Sequence, residues 1–344
     1  MAQETAGRPT LEAVAAHAGV SRATVSRVVN GGAGVTGPLA DRVRAAVAEL
    51  GYVPNPAART LVTRRTGAVA VIITEPGTRV FADPFFLRQL RGIEKALGEQ
   101  DQQLVLMLQD GPEDHDRIAR YLAGGHVDGV LAFSLHTDDP LPATIARLGL
   151  PVVYGGRPGW SGADVLFVDA DNRGGARSAL RHLRALGRSR IAHIAGPHDQ
   201  TSAADRLAGY RDLLPPNAPE LVVEGDFTAL SGRRAMDELL RLAPDLDGVF
   251  VANDLMASGA LAALRARRLR VPGDVAVVGF DDVQTVAEST DPPLTTVRQD
   301  IEGMGRLMAH LLLGLLGAGP GGLPVRAGGS PVVTRTEVVR RGSA

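Results

Sequence analysis

The chain of 344 residues has no cysteine, a single lysine (Lys95) among its 37 basic residues, and only 4% aromatic residues. Without cysteine there is no disulfide, no Cys-ligated zinc or iron–sulfur cluster and no thiol nucleophile, a composition compatible with an intracellular compartment. Long apolar runs are missing too. The most apolar late stretch, Leu307 to Leu316, is interrupted by His310 and falls short of the ~20 residues of a bilayer span. The first residues lack the apolar core of a secretory signal, so a cytoplasmic protein is expected. Lys95 precedes Ala96, which leaves no P-loop. The eight histidines (17, 115, 126, 136, 182, 193, 198, 310) show no H-E-x-x-H spacing and no serine lies in G-x-S-x-G, so no metal, cofactor or catalytic residue is expected.

What the chain does have is length for two or three globular units of ~100–200 residues. Its 37 basic and 38 acidic side chains nearly balance, but unevenly: residues 1–66 carry eight arginines against Glu4, Glu12, Asp41 and Glu49. Such a surplus fits an ordinary charged surface or a nucleic-acid footprint, and the local pattern has to decide. Thr10 reads as the N-cap of a helix with Leu11, Val14, Ala15 and Ala18 on one face, ended by Gly19. Ser21 caps a second helix that turns Val25, Val28 and Val29 inward and Arg22, Ala23, Ser26, Arg27 and Asn30 outward. Two short helices joined by a glycine turn, the second with an Arg/Ser/Asn face, make a helix-turn-helix. A third helix follows, with Pro38 in its first turn, Leu39, Val43, Ala46, Val47 and Leu50 inward, and Gly51 at its end. Gly32-Ala33-Gly34-Val35-Thr36-Gly37 satisfies G-x-G-x-x-G, but a helix precedes it where a dinucleotide site needs a strand, so it reads as a turn. Asn55 and Pro56 then open a helix of ~8 residues, too short to be stable alone.

From Gly67 the pattern changes to apolar runs alternating with amphipathic stretches. Strands are expected at 68–74, 103–107, 129–133, 152–154, 165–168, 190–194, 221–224, 248–251 and 275–279, with one last strand from 331–339. Helices are expected at 84–99, 113–124, 173–187, 203–214, 231–242, 255–268 and 300–316. Continuous apolar strands separated by helices indicate parallel sheets covered on both faces, and their number is about twice one doubly wound domain. In such sheets ligands sit beyond the carboxyl ends of strands, where Asn253 and Asp281 fall.

The segments Thr10-Leu11-Glu12-Ala13-Val14-Ala15, Ala18-Gly19-Val20-Ser21, Thr24-Val25-Ser26-Arg27-Val28-Val29-Asn30, Tyr52-Val53-Pro54-Asn55, Val251-Ala252-Asn253-Asp254, Val277-Val278-Gly279-Phe280-Asp281-Asp282 and Pro293-Leu294-Thr295-Thr296-Val297, in this order and spacing, resemble the lactose/galactose repressor (LacI/GalR) family of bacterial transcription regulators. The resemblance implies an all-α helix-turn-helix head (1–54), a hinge helix and linker (55–66), and an α/β core (67–344) like that of periplasmic binding proteins. The core would have two doubly wound parallel-sheet lobes joined by three crossovers, one from about 67–168 and 298–328, the other from about 169–297 and 329–340. It implies a homodimer on double-stranded operator DNA, with Arg22 and Ala23 as the specificity pair. Ser21, Thr24, Ser26, Arg27 and Asn30 would flank them, Thr10 and Tyr52 would meet the backbone, and Asn55, Ala58 and Leu61 would form the hinge contact, Leu61 as a minor-groove wedge. Arginine can fork to guanine in the major groove, whereas Ala23 offers only methyl contact to thymine.

A small-molecule effector would lie between the lobes against Phe85, Phe86, Arg206, Phe227, Asn253, Asp254 and Asp281. Asp and Arg suit paired hydroxyls and an aromatic ring covers a sugar's C–H face, although core packing explains the two phenylalanines equally well and Asp254 can serve as a helix cap. Asp164 to Ala176 resembles an actinobacterial subgroup that senses oligosaccharides such as cellobiose or maltose; purine-sensing members of the family leave a nucleobase open as well. A sugar receptor for transport would need a signal peptide and no helix-turn-helix. An enzyme would need a nucleophile, a metal or paired carboxylates, and adjacent Asp281 and Asp282 at a strand end should face opposite ways. Nothing like a zipper follows Val339, so a dimer rather than a tetramer is expected.

Overall fold

The computed structural model describes residues 9–29, 35, 37–53, 65–160, 165–216, 218–317 and 330–344, and they divide into two compact units, the first ending at Thr66 and the second beginning at Gly67. Asn30, Asn55, Ala58 and Leu61 lie outside the described residues.

In the first unit α1 (Leu11–Ala18) starts on Thr10, whose hydroxyl accepts from Ala13 N–H at 3.2 Å, and stops at Gly19 in the left-handed region. Ser21 Oγ accepts from Thr24 N–H at 3.1 Å and opens α2 (Arg22–Val29). Pro38 begins α3 (Pro38–Leu50), and Arg42 on this helix donates to the Ala18 carbonyl, satisfying the end of α1. Val14, Val25 and Val43 are fully buried where the three helices meet. The inward stripe of α3 begins one residue later than its periodicity suggests: Leu39 is 38% exposed and Ala40 is buried, because Ala40, Val43 and Ala46 are the residues turned to the core.

The second unit runs β1 (Ala68–Ile73), α4 (Gly77–Ala82), α5 (Pro84–Gly98), β2 (Gln103–Leu108), α6 (Pro112–Ala123), β3 (Gly129–Phe133), α7 (Leu141–Leu148), β4 (Val152–Gly155), β5 (Phe167–Ala170), α8 (Asn172–Ala185), β6 (Ile191–Ala195), α9 (Thr201–Arg211), β7 (Val222–Glu224), α10 (Ala229–Leu242), β8 (Gly248–Val251), α11 (Asp254–Ala266), β9 (Ala276–Asp281), α12 (Gln284–Ala287), β10 (Thr295–Arg298), α13 (Ile301–Leu315), β11 (Val332–Thr334) and β12 (Glu337–Val339). One sheet has the order β11-β5-β4-β3-β1-β2 and the other β12-β10-β9-β8-β6-β7. All pairings are parallel except β12 on β10. Apart from the last strand of each, the two orders are the same, so the core consists of two similar lobes.

Two sequence expectations need correction. The single last strand is two, one per sheet, separated at Arg335 and Thr336. Val332–Thr334, placed by the expected lobe boundaries in the second lobe, is in register with β5 of the first. Strand β10 was legible only as a motif: Thr295 and Thr296 are fully buried with their hydroxyls bonded to Ala344 O and to Asp254, so an apolar pattern misses them. Among the described residues the chain crosses between lobes after β5, after β10 and between β11 and β12.

Each lobe has helices in backbone contact. In the second lobe a Cβ on Gly259 of α11 would stand 1.9 Å from the Ala229 carbonyl oxygen of α10, and in the first a Cβ on Gly92 of α5 would stand 2.0 Å from the Glu302 oxygen of α13. Alanine gains up to ~1 kcal/mol over glycine in helix propensity, but forcing these backbones apart costs ~1–3 kcal/mol and more when nothing flexible can yield. Gly259→Ala should therefore destabilise the core despite its better propensity; denaturant unfolding with a midpoint at or above that of the wild type would contradict the close packing.

Candidate nucleic-acid interface and ligand cleft

On the head, Ser21, Arg22, Ala23 and Arg27 are exposed along one side of α2, while Thr24 and Ser26 are half-buried. Arg22 Nε lies 3.1 Å from Glu12 Oε1 with both side chains mostly exposed, an ion pair weak enough to open for another partner. Thr10 is exposed. Tyr52 is not a free surface group: only 9% exposed, it packs into the core of the head.

In the core unit a cleft of about 800 Å³, open to solvent, lies between the two sheets at the carboxyl ends of their strands. Phe85, Phe86, Arg206, Phe227, Asn253 and Asp281 all line it, together with Arg79, Asp83, Gln89, Arg157, Asp169, Asn172, Gln200 and Gln299, which the sequence did not single out. Three lining residues, Ser134 (φ 60°), Phe227 (φ 66°) and Asp281 (φ 107°), adopt left-handed backbone. Non-glycine residues keep such conformations only where the surroundings impose them, and they cluster at functional sites.

Arg206, on α9, is the centre of the second-lobe wall. It is buried, donates Nε–H to Asn172 Oδ1 at 2.9 Å and Nη1–H to the Ala252 carbonyl, and lies 3.7 Å from the Phe280 ring centroid. Its Nη2 is 3.5 Å from Asp281 Oδ1, which also accepts from Gln299 Nε2 at 2.6 Å. Burial pushes the Asp281 carboxyl up to about 7 against the pull of Arg206. Burial likewise lowers the Arg206 pKa, with Asp281 opposing it.

Asp254 stands behind this wall and not on it. Fully buried, it accepts from Val283 N–H at 2.8 Å and from the Thr296 hydroxyl, bracing β9 against β10. Asn253 caps α11 by accepting from Met256 N–H at 2.8 Å and donates to Phe227 O at 3.0 Å, so its amide also holds the Phe227 turn in place. The Phe227 ring lies between the Gly196 backbone, where a Cβ would come within 2.3 Å, and the Arg79 guanidinium 5.2 Å from its centroid. A sugar can use this ring only where Arg79 shares it.

The three guanidiniums lining the cleft each have a carboxylate: Arg79 with Glu75 at 2.6 Å, Arg157 with Asp205 at 2.7 Å and Arg206 with Asp281. Asp83 and Asp169 line it as well and make no ion pair among the described residues; burial raises the pKa of both. The three lining carboxylates, Asp83, Asp169 and Asp281, equal the three lining guanidiniums in number, so the cleft has no surplus of positive charge to favour an anionic ligand and offers both acceptors and donors to hydroxyl groups. Among the described residues no His/Cys/Asp/Glu cluster could hold a metal ion, and no helix is long and apolar enough to cross a membrane.

Comparison with known proteins supplies the family. Residues 10–55 match the model for bacterial regulatory proteins of the lacI family, and residues 180–344 that for a periplasmic binding protein-like domain. The chain is 53% identical over 311 residues to the HTH-type transcriptional regulator CelR of Thermobifida fusca, covering 89% of this chain and 91% of that protein. It is 35% identical to the ribose operon repressor of Escherichia coli strain K12 over 88% of this chain and 92% of the other. Among solved structures, a transcriptional regulator CelR–cellobiose complex is similar with a TM-score of 0.75 and 48% identity, covering 98% of this chain and 100% of that one. The lac repressor dimer bound to operator and the anti-inducer ONPF is similar with a TM-score of 0.81 and 30% identity, covering 98% and 99%. With its helix-turn-helix head and its two-lobed periplasmic-binding-protein-like core, the chain belongs to the lacI family of bacterial regulatory proteins.

Proposed function

We propose that this protein is a dimeric, sequence-specific DNA-binding transcriptional repressor of carbohydrate-utilisation genes. Its operator affinity would fall when a neutral oligosaccharide of the cellobiose type binds between the core lobes. The observation that carries the effector class is the charge balance of the cleft: paired guanidiniums beside further carboxylates suit a polyhydroxylated neutral molecule. The similarity to a regulator solved with cellobiose and to a repressor solved on its operator points the same way.

In this reading Arg22 and Ala23 of α2 read base edges, with Ser21, Thr24, Ser26, Arg27 and Thr10 around them, and Arg206, Asp281 and Asn253 form the second-lobe half of the sugar site. The protein acts in the cytoplasm by binding alone, without catalysis. One recognition helix per protomer reads a half-site, so two protomers related by a two-fold axis need a pseudo-palindrome of ~14–20 base pairs. A different lobe angle with sugar bound would alter the spacing of the two heads on that site.

Two measurements test this function. On the cognate duplex Arg22→Ala should lose ~1–3 kcal/mol, with little loss on scrambled DNA; equal losses on both would remove Arg22 from base reading. In calorimetric titration the wild type should bind neutral disaccharides in preference to phosphorylated or carboxylated sugars and to guanine. Asp281→Asn, which keeps the shape of the side chain, should weaken sugar binding at least about tenfold. An anionic sugar or a purine bound as tightly as cellobiose would contradict the effector class.

A further inference from the structure

Just beyond β1, Glu75 is 3% exposed and does not line the cleft. Its Oε1 accepts from the Ser134 hydroxyl at 2.7 Å and pairs with Arg79 Nη1 at 2.6 Å, both from the first lobe, and accepts from Gln200 Nε2 of the second lobe at 2.7 Å. His136 Nε2 stands 3.6 Å from the same oxygen, and its Nδ1 is 2.7 Å from Asp199 Oδ2 of the second lobe. Next to it Thr137 donates both its N–H and its hydroxyl to the Asp199 carbonyl at 2.8 Å, a direct link between the lobes. Burial works to raise the Glu75 pKa, but bonding with His136, Arg79, Ser134 and Gln200 outweighs it and holds the carboxyl below its usual range. The nearby Glu75 carboxylate pushes the His136 imidazole up to about 9 in spite of burial, with its hydrogen bond to Asp199 assisting, so it is cationic at neutral pH. A carboxylate this deeply buried persists only with charged or hydrogen-bonding partners, and here part of that set belongs to the other lobe.

Three members of the network, Arg79, Ser134 and Gln200, reach the cleft. Arg79 Nε is buried with no hydrogen-bond partner among the described residues. Its guanidinium lies 5.8 Å from the Phe86 ring centroid of the first lobe and 5.2 Å from that of Phe227 of the second. The Arg79 side chain keeps 16% exposure where it lines the cleft, and the accessible part of its guanidinium, not the enclosed Nε, is what the hydroxyl of a polyol would meet.

We propose that Glu75 is a positioning residue of the cleft: from outside it, Glu75 fixes Arg79 as a ligand donor on the first lobe and ties that lobe to Gln200 and Asp199 on the second. The donor role rests on the sugar-binding function proposed above, whereas the tie between lobes is independent of it.

Glu75→Gln keeps the shape and removes the charge. Hydrogen exchange at the Thr137 amide reads the tie with no ligand present: it should speed up at least about tenfold in Glu75→Gln. Asp199→Asn, at an exposed position, should speed it up too without leaving a buried charge unpaired. Wild-type exchange in both folded variants overturns the tie. Titration with cellobiose reads the donor role. Arg79→Ala and Glu75→Gln should each weaken binding at least about tenfold, Arg79→Lys should not restore it, and the double variant should lose no more than Arg79→Ala alone. Losses that multiply independently overturn the positioning role. A wild-type chain that binds operator but no sugar overturns the effector class, and the exchange measurement still decides the tie.

Discussion

Everything in the core depends on placing one buried cation, Arg206, at the base of a cleft between two sheets. A guanidinium cannot lose its proton under ordinary conditions, so the fold has to bring acceptors to it. They come from distant parts of the chain: Asn172 from the start of α8, the Ala252 carbonyl from the end of β8, and Asp281 from the end of β9. The strained backbone at Asp281 and the approach of Asp254 to Gly279, where a Cβ would stand 2.4 Å from Oδ1, follow from packing these groups together. Breaking such a set by removing one partner is expensive, which makes the wall rigid before any ligand arrives.

Rigidity within each lobe would let a ligand act through the angle between them, as proposed above. The glycine contacts of α5 with α13 and of α10 with α11 bring helix backbones together with no long side chain between them to yield. The lobes are joined by the three crossovers and by polar contacts across the cleft. Those contacts include the Arg157–Asp205 pair, more exposed than the Glu75 network and correspondingly less decisive.

Periodicity and caps made the head and the alternating core legible in the sequence, because Thr10, Ser21, Pro38 and the glycines at 19 and 51 act on their own neighbours. The second-lobe wall was legible for a related reason: Asn253 and Asp281 stand at the ends of apolar strands. Of the first-lobe wall only Phe85 and Phe86 were legible. Arg79 and Gln89 sit on short or amphipathic helices and Asp83 at the junction of two of them, where a polar residue looks like a solvent-facing one, and only the tertiary arrangement turns them to the cleft. Glu75, Ser134, His136, Asp199 and Gln200 meet across as many as 125 positions of sequence, a distance at which no local pattern records the contact. Asp254 shows the opposite error: a carboxylate beside Asn253 reads as part of the site, yet its bonds to Thr296 and Val283 make it a brace between strands.

The central claim is that sugar in the cleft and operator on the head are coupled through the lobes. Binding linkage makes such coupling reciprocal, so the most direct measurement is the affinity for cellobiose with and without saturating operator DNA. An allosteric coupling of ordinary size predicts that operator weakens cellobiose binding ~5–150-fold; equal affinities in the two titrations would contradict it.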